Sequence, residues 1–148
     1  MSIVVNNTVI SNFAVAEKLD LLRQILGKIY ITQEVLQEIE DGIKEGHLFL
    51  NAVKKAIDED NWIFVAELKN KELYLYKILS DKMGIGESSC LSIAYMRKWS
   101  FFSDDKTARN YAEENNIALV GTFGLLISAI EDGILSKDQA NSILRNSC

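Results

Sequence analysis

The stretch SFFSDDKTARNYAEENNIALVG, residues 100–121, carries the pattern that decides the fold. It begins with a short apolar run, passes through an acidic pair into a polar segment with helical spacing, and ends on a second apolar run. A strand, a helix and a strand in this order form a βαβ unit, whose two strands lie parallel in one sheet. The stretch therefore predicts a parallel α/β sheet with carboxylates at the end of one strand.

Short apolar segments alternate with helical ones along the rest of the chain. The predicted strands are SIVV (2–5), KIYI (28–31), WIFV (62–65), SFFS (100–103) and IALVG (117–121). Helical spacing covers residues 11–26, 32–46, 48–60, 67–83, 87–99, 104–116, 122–133 and 136–146. The alternation favours one α/β domain over residues 1–148, with helices on both faces of a five-stranded parallel sheet.

The composition excludes several classes of protein. The chain has 148 residues, of which 48% are hydrophobic and 25% charged, as in ordinary globular domains. No apolar run approaches the roughly 20 residues that span a bilayer, and no basic leader opens the chain, so we expect a cytoplasmic protein without membrane contact. Cys90 and Cys148 are expected to be reduced thiols. His47 has no partner at ligand spacing, which argues against a catalytic triad or a histidine zinc site.

The charge balance narrows the possible partners. The chain carries 16 basic and 21 acidic side chains, a net charge of −5. This balance argues against a protein that holds nucleic acid by bulk charge, because phosphate contacts need clustered Lys and Arg. It remains compatible with an acidic metal site that meets a phosphate through a bound cation.

Glu87 opens a predicted helix on the apolar side of that helix. Cys90, Leu91 and Ala94 follow it at i+3, i+4 and i+7, so the carboxylate belongs to the buried stripe. An acid on such a face is destabilising unless something compensates it. One explanation is a carboxylate that meets the helix dipole at the N-terminus. The other is a ligand site, which the glycines of the preceding GIG favour because they permit close backbone approach.

Asp104 and Asp105 follow the strand SFFS at the point where a helix begins. Asp104 is the natural N-cap, the commonest use of Asp at such a position. Asp105 is in register with Ala108 and Ala112 on the apolar side of the helix. Two adjacent acids leave one for the cap and one for a site.

Three further positions are ambiguous by themselves. Glu38 and Glu40 flank the apolar stripe of their helix about equally, and periodicity alone places both in solvent. Asn6 follows the first strand and can simply cap the first helix. Ligands of parallel α/β sheets bind at the carboxyl ends of strands, however, where Asn6 and the pair Asp104 and Asp105 lie. Carboxylates that converge there repel each other unless a divalent cation is present, which predicts a Mg²⁺ or Mn²⁺ site.

The order of these motifs resembles that of PIN-domain proteins. VVNNTVISNF is similar to the family's first strand with its polar end, ITQEVLQEIEDG to the helix with its acid at Glu38, and GIGESSCLSIA to the Gly-Glu helix of one branch. FFSDDKTARNYAEENNIALVGTFGLLISAIEDGIL is similar to the Asp-Asp, Ala-Arg, Gly-Thr and Gly-Leu-Leu run of that branch. The resemblance covers about residues 3–136.

PIN domains are metal-dependent ribonucleases, and many are the toxins of toxin–antitoxin pairs. The resemblance implies a hydrolase that acts on RNA with one or two Mg²⁺ or Mn²⁺ ions. It also implies an antitoxin protein as partner and a homodimer. The helix that carries Tyr74 and Tyr76 is a candidate for the dimer interface.

The resemblance also assigns the residues of the site. The predicted catalytic residues are Asn6, Glu38, Glu87, Asp105 and its uncertain neighbour Asp104. The predicted metal ligands are Asn6, Glu87, Asp104 and Asp105. Nucleic acid is expected to contact Thr8, Lys106 and Arg109, with Arg97 and Lys98 as further candidates for phosphate contacts.

Asn6 departs from the family pattern, because the first strand of a PIN domain ends in Asp. An amide oxygen can ligate a hard cation, but it brings no charge, so metal affinity should fall. Two functions remain open. One is a weakly active ribonuclease, and the other is a catalytically inactive PIN-like module that binds RNA or a partner protein.

Overall fold

The computed structural model describes residues 2–145, within which the strands form one five-stranded parallel sheet. The strands are β1 (Ile3–Val5), β2 (Ile29–Thr32), β3 (Ile63–Ala66), β4 (Ser100–Phe102) and β5 (Leu119–Val120). Their order across the sheet is β3-β2-β1-β4-β5. The predicted α/β class and parallel sheet are confirmed.

Strand β1 occupies the centre of the sheet. Val4 pairs with Tyr30 of β2 on one side and with Phe101 of β4 on the other. Val4 and Val5 are fully buried, as expected for a central parallel strand. The strand order reverses between β1 and β4, and such a reversal opens a crevice at the carboxyl ends of the strands.

Seven helices lie in the connections between the described strands, and two more follow β5. They are α1 (Asn7–Val15), α2 (Leu19–Leu26), α3 (Gln33–Lys44), α4 (Asn51–Asp58), α5 (Lys71–Leu79), α6 (Ile85–Arg97), α7 (Lys106–Glu114), α8 (Thr122–Glu131) and α9 (Lys137–Arg145), with a 3₁₀ turn at Leu48–Leu50. The single helix predicted over residues 11–26 is wrong, because the chain turns between α1 and α2 at Glu17, whose φ is +58°. Residue 146 of the last predicted helix, and Cys148, lie outside the described residues.

An extended apolar cluster holds the helices against the sheet. Phe13 of α1, Ile39 of α3, Leu91 of α6 and Leu126 of α8 are all fully buried members of it. Their packing holds the beginnings of α1, α6 and α8 near the carboxyl end of β1.

Within the described residues, no helix combines the length and apolar character needed to cross a bilayer.

Candidate metal and nucleic-acid site

The residues that follow β1 and β4 meet at the crevice. The backbone N–H of Asn6 donates to the carbonyl of Phe102 at 2.8 Å. Ser103, the next residue after β4, is fully buried, and its Oγ lies 3.5 Å from Nδ2 of Asn6. The register of the two strands therefore brings their first polar residues into contact.

The side chain of Asn6 is buried and has an unused acceptor. The residue is 1% exposed, and Oδ1 has no hydrogen-bond partner within residues 2–145. A buried acceptor left without a partner costs about 1–3 kcal/mol. Asn6 occupies the N-cap position of α1, but its side chain makes no capping hydrogen bond. The explanation of Asn6 as a side-chain cap is therefore wrong.

Glu38 reaches from α3 to the first turn of α6. A Cβ on Gly86 would lie 2.6 Å from Glu38 Oε1, so a larger residue there would displace the Glu38 carboxylate. Burial raises the pKa of Glu38, and the charge of Glu87 raises it further, against a hydrogen bond from the Gly86 backbone. Glu40 points elsewhere, since its Oε2 lies 3.2 Å from Nζ of Lys54. The structure thus separates two acids that periodicity could not.

Glu87 lies in the first turn of α6, against the residue that precedes the helix. Its Oε2 occupies the space that a Cβ on Gly84, the N-cap residue, would need. A carboxylate at this position faces the positive end of the helix dipole, which supports the alternative of an electrostatic cap. Cys90 and Leu91 are fully buried and Ala94 is 2% exposed, so the predicted buried stripe is present.

Glu38 and Glu87 have no basic partner among residues 2–145. The ion pairs found in the described part of the chain involve neither carboxylate. The buried Cys90 connects them to the crevice: burial, and to a smaller extent the charges of both glutamates, raise the pKa of its thiol. Cys90 Sγ lies 3.9 Å from the carbonyl of Val5, the residue before Asn6. Because Cys90 follows Glu87 by one turn of α6, this contact places the first turns of α6 beside the end of β1.

The carboxylates do not all converge on one point. Among residues 2–145, no three Asp, Glu, His or Cys side chains lie close enough together to share a metal ion. The acids form two groups instead, Glu38 with Glu87 on the β2 side of β1, and Asp104 with Asp105 on the β4 side. The predicted convergence of the carboxylates is therefore seen only in part, because Glu38 meets Glu87 but no third acid joins them within residues 2–145.

Asp104 is held in place by three donors. Thr122 donates to Oδ1 through its backbone N–H at 2.7 Å and to Oδ2 through its hydroxyl at 2.6 Å. Nδ2 of Asn12 donates to Oδ2 at 3.0 Å. The carboxylate therefore joins the end of β4 to α1 and to the beginning of α8.

The N-cap of α7 is Asp105, so the expectation that Asp104 fills this position is wrong. Asp105 Oδ2 accepts a hydrogen bond from the backbone N–H of Ala108 at 2.8 Å. The backbone N–H of Asp105 donates to Ser103 Oγ at 3.1 Å. Because Ser103 also contacts Asn6, it bridges the strand end and the cap. The capping bond leaves Asp105 with one further carboxylate oxygen.

The polar face of α1 separates the two acidic groups. A cavity of about 510 Å³ is lined by Asn7, Thr8, Ser11, Asn12, Asp104, Thr122, Phe123 and Leu144. A second cavity of about 370 Å³ contains Glu38 and shares Asn7 and Ser11 with the first. The two cavities make one groove over the beginning of α1, from Glu38 to Asp104. We call it the α1 groove.

The predicted nucleic-acid-binding residues lie near the Asp104 end of this groove. Thr8 is exposed, and its Oγ1 lies 3.5 Å from the backbone nitrogen of Asp104. A Cβ on Gly121 would lie 3.0 Å from Nη2 of Arg109 and 2.8 Å from Asp104 Oδ1, so the guanidinium and the carboxylate are neighbours. Lys106 is the exposed first residue of α7.

Arg97 pairs with Glu72 and lines neither cavity of the α1 groove, so the structure does not support its predicted contact with phosphate. Its Nε lies 2.6 Å from Glu72 Oε2 and its Nη2 lies 2.9 Å from Glu72 Oε1, which joins α5 to the end of α6. Lys98 follows α6 and lines a separate cavity with Trp99. The buried Glu72 was not predicted, because the sequence of α5 has no clear polar and apolar faces.

Three polar residues of the site were not predicted: Asn12, Ser103 and Thr122. Thr122 follows the fifth strand as Asn6 follows the first, so the strand-end argument could have identified it. Ser103 was placed inside a predicted strand. Asn12 lies one helical turn after Thr8, and its role depends on the position of α8, which the sequence does not show.

This fold, with polar side chains gathered at the ends of its central strands, defines a PIN-type α/β domain. The PIN-domain family model DUF3368 matches residues 2–146, and the chain belongs to this family. The predicted family is thereby confirmed.

Two solved structures have a similar fold. A PilT N-terminus domain protein from the hyperthermophilic archaeon Sulfolobus solfataricus aligns with a TM-score of 0.56 and 17% identity, over 88% of this chain and 95% of that chain. VapBC2 from Rickettsia felis, bound to a DNA fragment from their promoter, aligns with a TM-score of 0.57 and 13% identity, over 82% of this chain and 98% of that chain. A comparison with curated proteins gave no match.

Proposed function

We propose that the chain is a divalent-metal-dependent ribonuclease of the PIN type, with Mg²⁺ or Mn²⁺ held beside the end of β1. The observation that carries the proposal is the pair Glu38 and Glu87, neighbouring carboxylates that have no basic partner among residues 2–145. Asn6, at the end of β1, adds a buried Oδ1 that also has no hydrogen-bond partner among these residues. A cation relieves uncompensated negative charge of this kind. Membership of the PIN family supports the same function.

The donor set fits a hard divalent cation. Mg²⁺ takes oxygen ligands and is commonly bound through one or two carboxylates, with water and phosphate oxygens as its other ligands. Glu38 and Glu87 would supply the carboxylates, and Asn6 a neutral oxygen. When bound, such an ion supplies Lewis acidity and lowers the pKa of a water molecule.

The groups of the chain itself bind and orient the RNA strand. The first turn of α1 has no side-chain cap, and its backbone N–H groups at the groove favour a phosphate. Lys106 and Arg109 add positive charge at one end of the groove, where Thr8 offers a hydroxyl. Asp104 and Asp105 close that end and are the further candidates for metal ligands.

Mn²⁺-dependent cleavage of RNA tests the proposal. Glu38→Gln and Glu87→Gln are each expected to lower the rate by about 100-fold or more, since each removes a charged oxygen donor. Glu40→Gln is the matched control, because Glu40 is on the same helix as Glu38 and pairs with Lys54. Cleavage that needs no metal, or that persists in both variants, would contradict the proposal.

A catalytically inactive module that binds RNA or a partner protein is the second candidate. Asn6 favours it, because the amide removes one charge from the site, and so does the division of the acids into two groups. A thermal shift with Mn²⁺ distinguishes the two functions, because a ligand at 100 times its Kd stabilises a protein by about 2.7 kcal/mol. No shift at millimolar Mn²⁺, together with RNA binding, would favour the inactive module.

We also propose that the chain is a toxin that works with an antitoxin protein. The PIN family supports this partnership, as does the fold similarity to VapBC2, which was solved on a fragment of promoter DNA. Expression of the chain in a bacterial host tests it. The wild type should arrest growth and Glu87→Gln should not, whereas equal growth of the two would argue against a toxin.

A homodimer through α5 completes the proposal. Leu73, Tyr74 and Ile78 of this helix are 44%, 72% and 46% exposed, an apolar surface suited to a second copy. Light scattering should give twice the chain mass, and Tyr74→Ser should reduce it to one chain. A monomeric wild type would contradict this interface.

A further inference from the structure

Phe123 lies where a polar and an apolar cavity meet. It is the second residue of α8, directly after the threonine that holds Asp104, and it is 64% exposed. On one side it lines the α1 groove. On the other it lines a cavity of about 380 Å³ whose apolar residues include Leu126, Ile127 and Ile130.

The position of Phe123, rather than its exposure, is what calls for an explanation. Single exposed apolar side chains are common on protein surfaces. Phe123, however, is the one aromatic residue that residues 2–145 contribute to the apolar cavity and to the Asp104 end of the groove, whereas Phe49 lines the Glu38 end. Phe123 and Asp104 both line this end of the groove.

We propose that Phe123 is the platform on which one base of a single-stranded RNA substrate stacks. The inference rests on the proposed ribonuclease function and specifies how that site holds its substrate. A nucleotide combines a flat base with a polar sugar and phosphate, and the surface changes from apolar to polar at Phe123 in the same way. Stacking on an aromatic ring needs an unpaired base, so the substrate is single-stranded.

The polar side of the boundary suits a ribose and a phosphate. Asn7, Thr8, Ser11 and Asn12 supply amide and hydroxyl groups along the groove. These groups form hydrogen bonds without adding charge. Since the chain has a net charge of −5, bulk attraction for RNA is weak, and stacking has to supply a large share of the affinity.

A helix of a partner protein is the competing occupant of the apolar cavity. Ile127 separates the two possibilities, because it is 41% exposed and lines the apolar cavity but not the α1 groove. A docked helix would contact Phe123 and Ile127 together. A stacked base needs the ring of Phe123 alone.

Binding and cleavage of labelled decaadenylate and decauridylate test the proposal with the full chain. Affinity is measured by fluorescence anisotropy in EDTA, and KM by cleavage in Mn²⁺. Phe123→Leu keeps an apolar side chain but removes the ring. It should lower the affinity and raise KM by about 5- to 150-fold, with the larger change for the adenylate. Phe123→Trp should retain wild-type binding, and Ile127→Ser should leave RNA binding unchanged.

The possible outcomes are distinct. Intact cleavage with equal affinity in the wild type and Phe123→Leu would overturn the stacking platform and leave the ribonuclease standing. Equal losses of RNA binding in Phe123→Leu and Ile127→Ser would also overturn it, because the whole apolar surface would then be involved. A wild type that neither binds nor cleaves RNA would reject the proposed function, and the platform with it. Far-UV circular dichroism confirms that each variant is folded.

Discussion

Glu87 lies close enough to Glu38 for its charge to add to the effect of burial in raising the pKa of the Glu38 carboxyl. The two residues come from α6 and α3, which meet beside the end of β1. The missing side chain of Gly86 allows this approach. Two carboxylates held close together lower the stability of the folded protein, and such pairs are typical of functional sites.

Neutralising Glu38 should stabilise the metal-free chain while it removes activity. Because the folded-state pKa of Glu38 is raised, its charged form destabilises the fold at neutral pH. Glu38→Gln is expected to raise the free energy of unfolding by about 0.5–2 kcal/mol, as is common where function opposes stability. Urea unfolding in EDTA measures this. A loss of stability in Glu38→Gln, with Glu40→Gln unchanged, would show that the carboxylate is not strained.

Asn6→Asp should lower the stability of the protein in the absence of metal and strengthen its response to Mn²⁺. A new carboxylate at a position that is 1% exposed should destabilise the metal-free chain by about 1–3 kcal/mol. With Mn²⁺ the added charge should enlarge the thermal shift and increase cleavage. Asn7→Asp, at the half-buried next position, controls for charge at the beginning of α1. If Asn6→Asp enlarges neither the shift nor the cleavage, the missing charge is not what limits the site.

Gly86→Ala should displace Glu38 without unfolding the protein. The added Cβ would lie 2.6 Å from Glu38 Oε1, so the carboxylate has to move. We expect Mn²⁺ affinity to fall by about 10- to 100-fold, as when a group that orients a ligand is lost. Gly124→Ala is the control, because its nearest neighbour would lie at an ordinary 3.5 Å. Calorimetric titration with Mn²⁺ measures both, and equal affinities would remove Glu38 from the site.

Asp104 and Asp105 should respond differently to the same substitution. Asn caps helices as well as Asp does, so Asp105→Asn should leave stability almost unchanged. Asp104→Asn turns an amide N–H towards the donors of Thr122 and should cost about 1–3 kcal/mol. Thermal unfolding compares the two variants, and their cleavage rates show which carboxylate acts as a ligand. Equal destabilisation would contradict the hydrogen bonds described for the pair.

The pair Glu72 and Arg97 should contribute stability that acid removes. Hydrogen bonds from Arg97 lower the pKa of Glu72 from its usual 4.5, against a smaller effect of burial. The contribution is therefore complete above pH 4.5 and is lost as the pH falls through the folded-state pKa. Glu72→Gln should lose about 1–3 kcal/mol at pH 7 and show a flatter decline in acid. Urea unfolding at several pH values measures this, with the exposed Glu113→Gln as control; parallel curves for Glu72→Gln and the wild type would contradict it.

The sheet could be predicted because each strand is a short apolar run bounded by polar residues, as in SFFSDD and IALVGT. The break between α1 and α2 could not, because Glu17 adopts a positive φ in a segment whose apolar spacing continues through it. Local spacing reports which face of a helix is apolar, not where the chain turns.

The sequence indicates which polar residues are candidates for the site, but not which partner each of them contacts. Glu38 and Glu40 have the same relation to their helix, and the neighbours Gly86 and Lys54 decide which of them enters the crevice. In the same way, Thr122 determines that Asp104 binds the beginning of α8 while Asp105 caps α7. These partners are distant in sequence and become neighbours only through the packing of the sheet.

Diffraction from crystals soaked in Mn²⁺, recorded at the manganese absorption edge, shows whether the ion binds between the two glutamates. We predict an anomalous peak beside the end of β1, about 2.1 Å from oxygen atoms of Glu38, Glu87 and Asn6. An anomalous peak at another place would contradict this metal site. So would the absence of a peak at saturating Mn²⁺, if both glutamates kept the positions that they have in crystals without the ion.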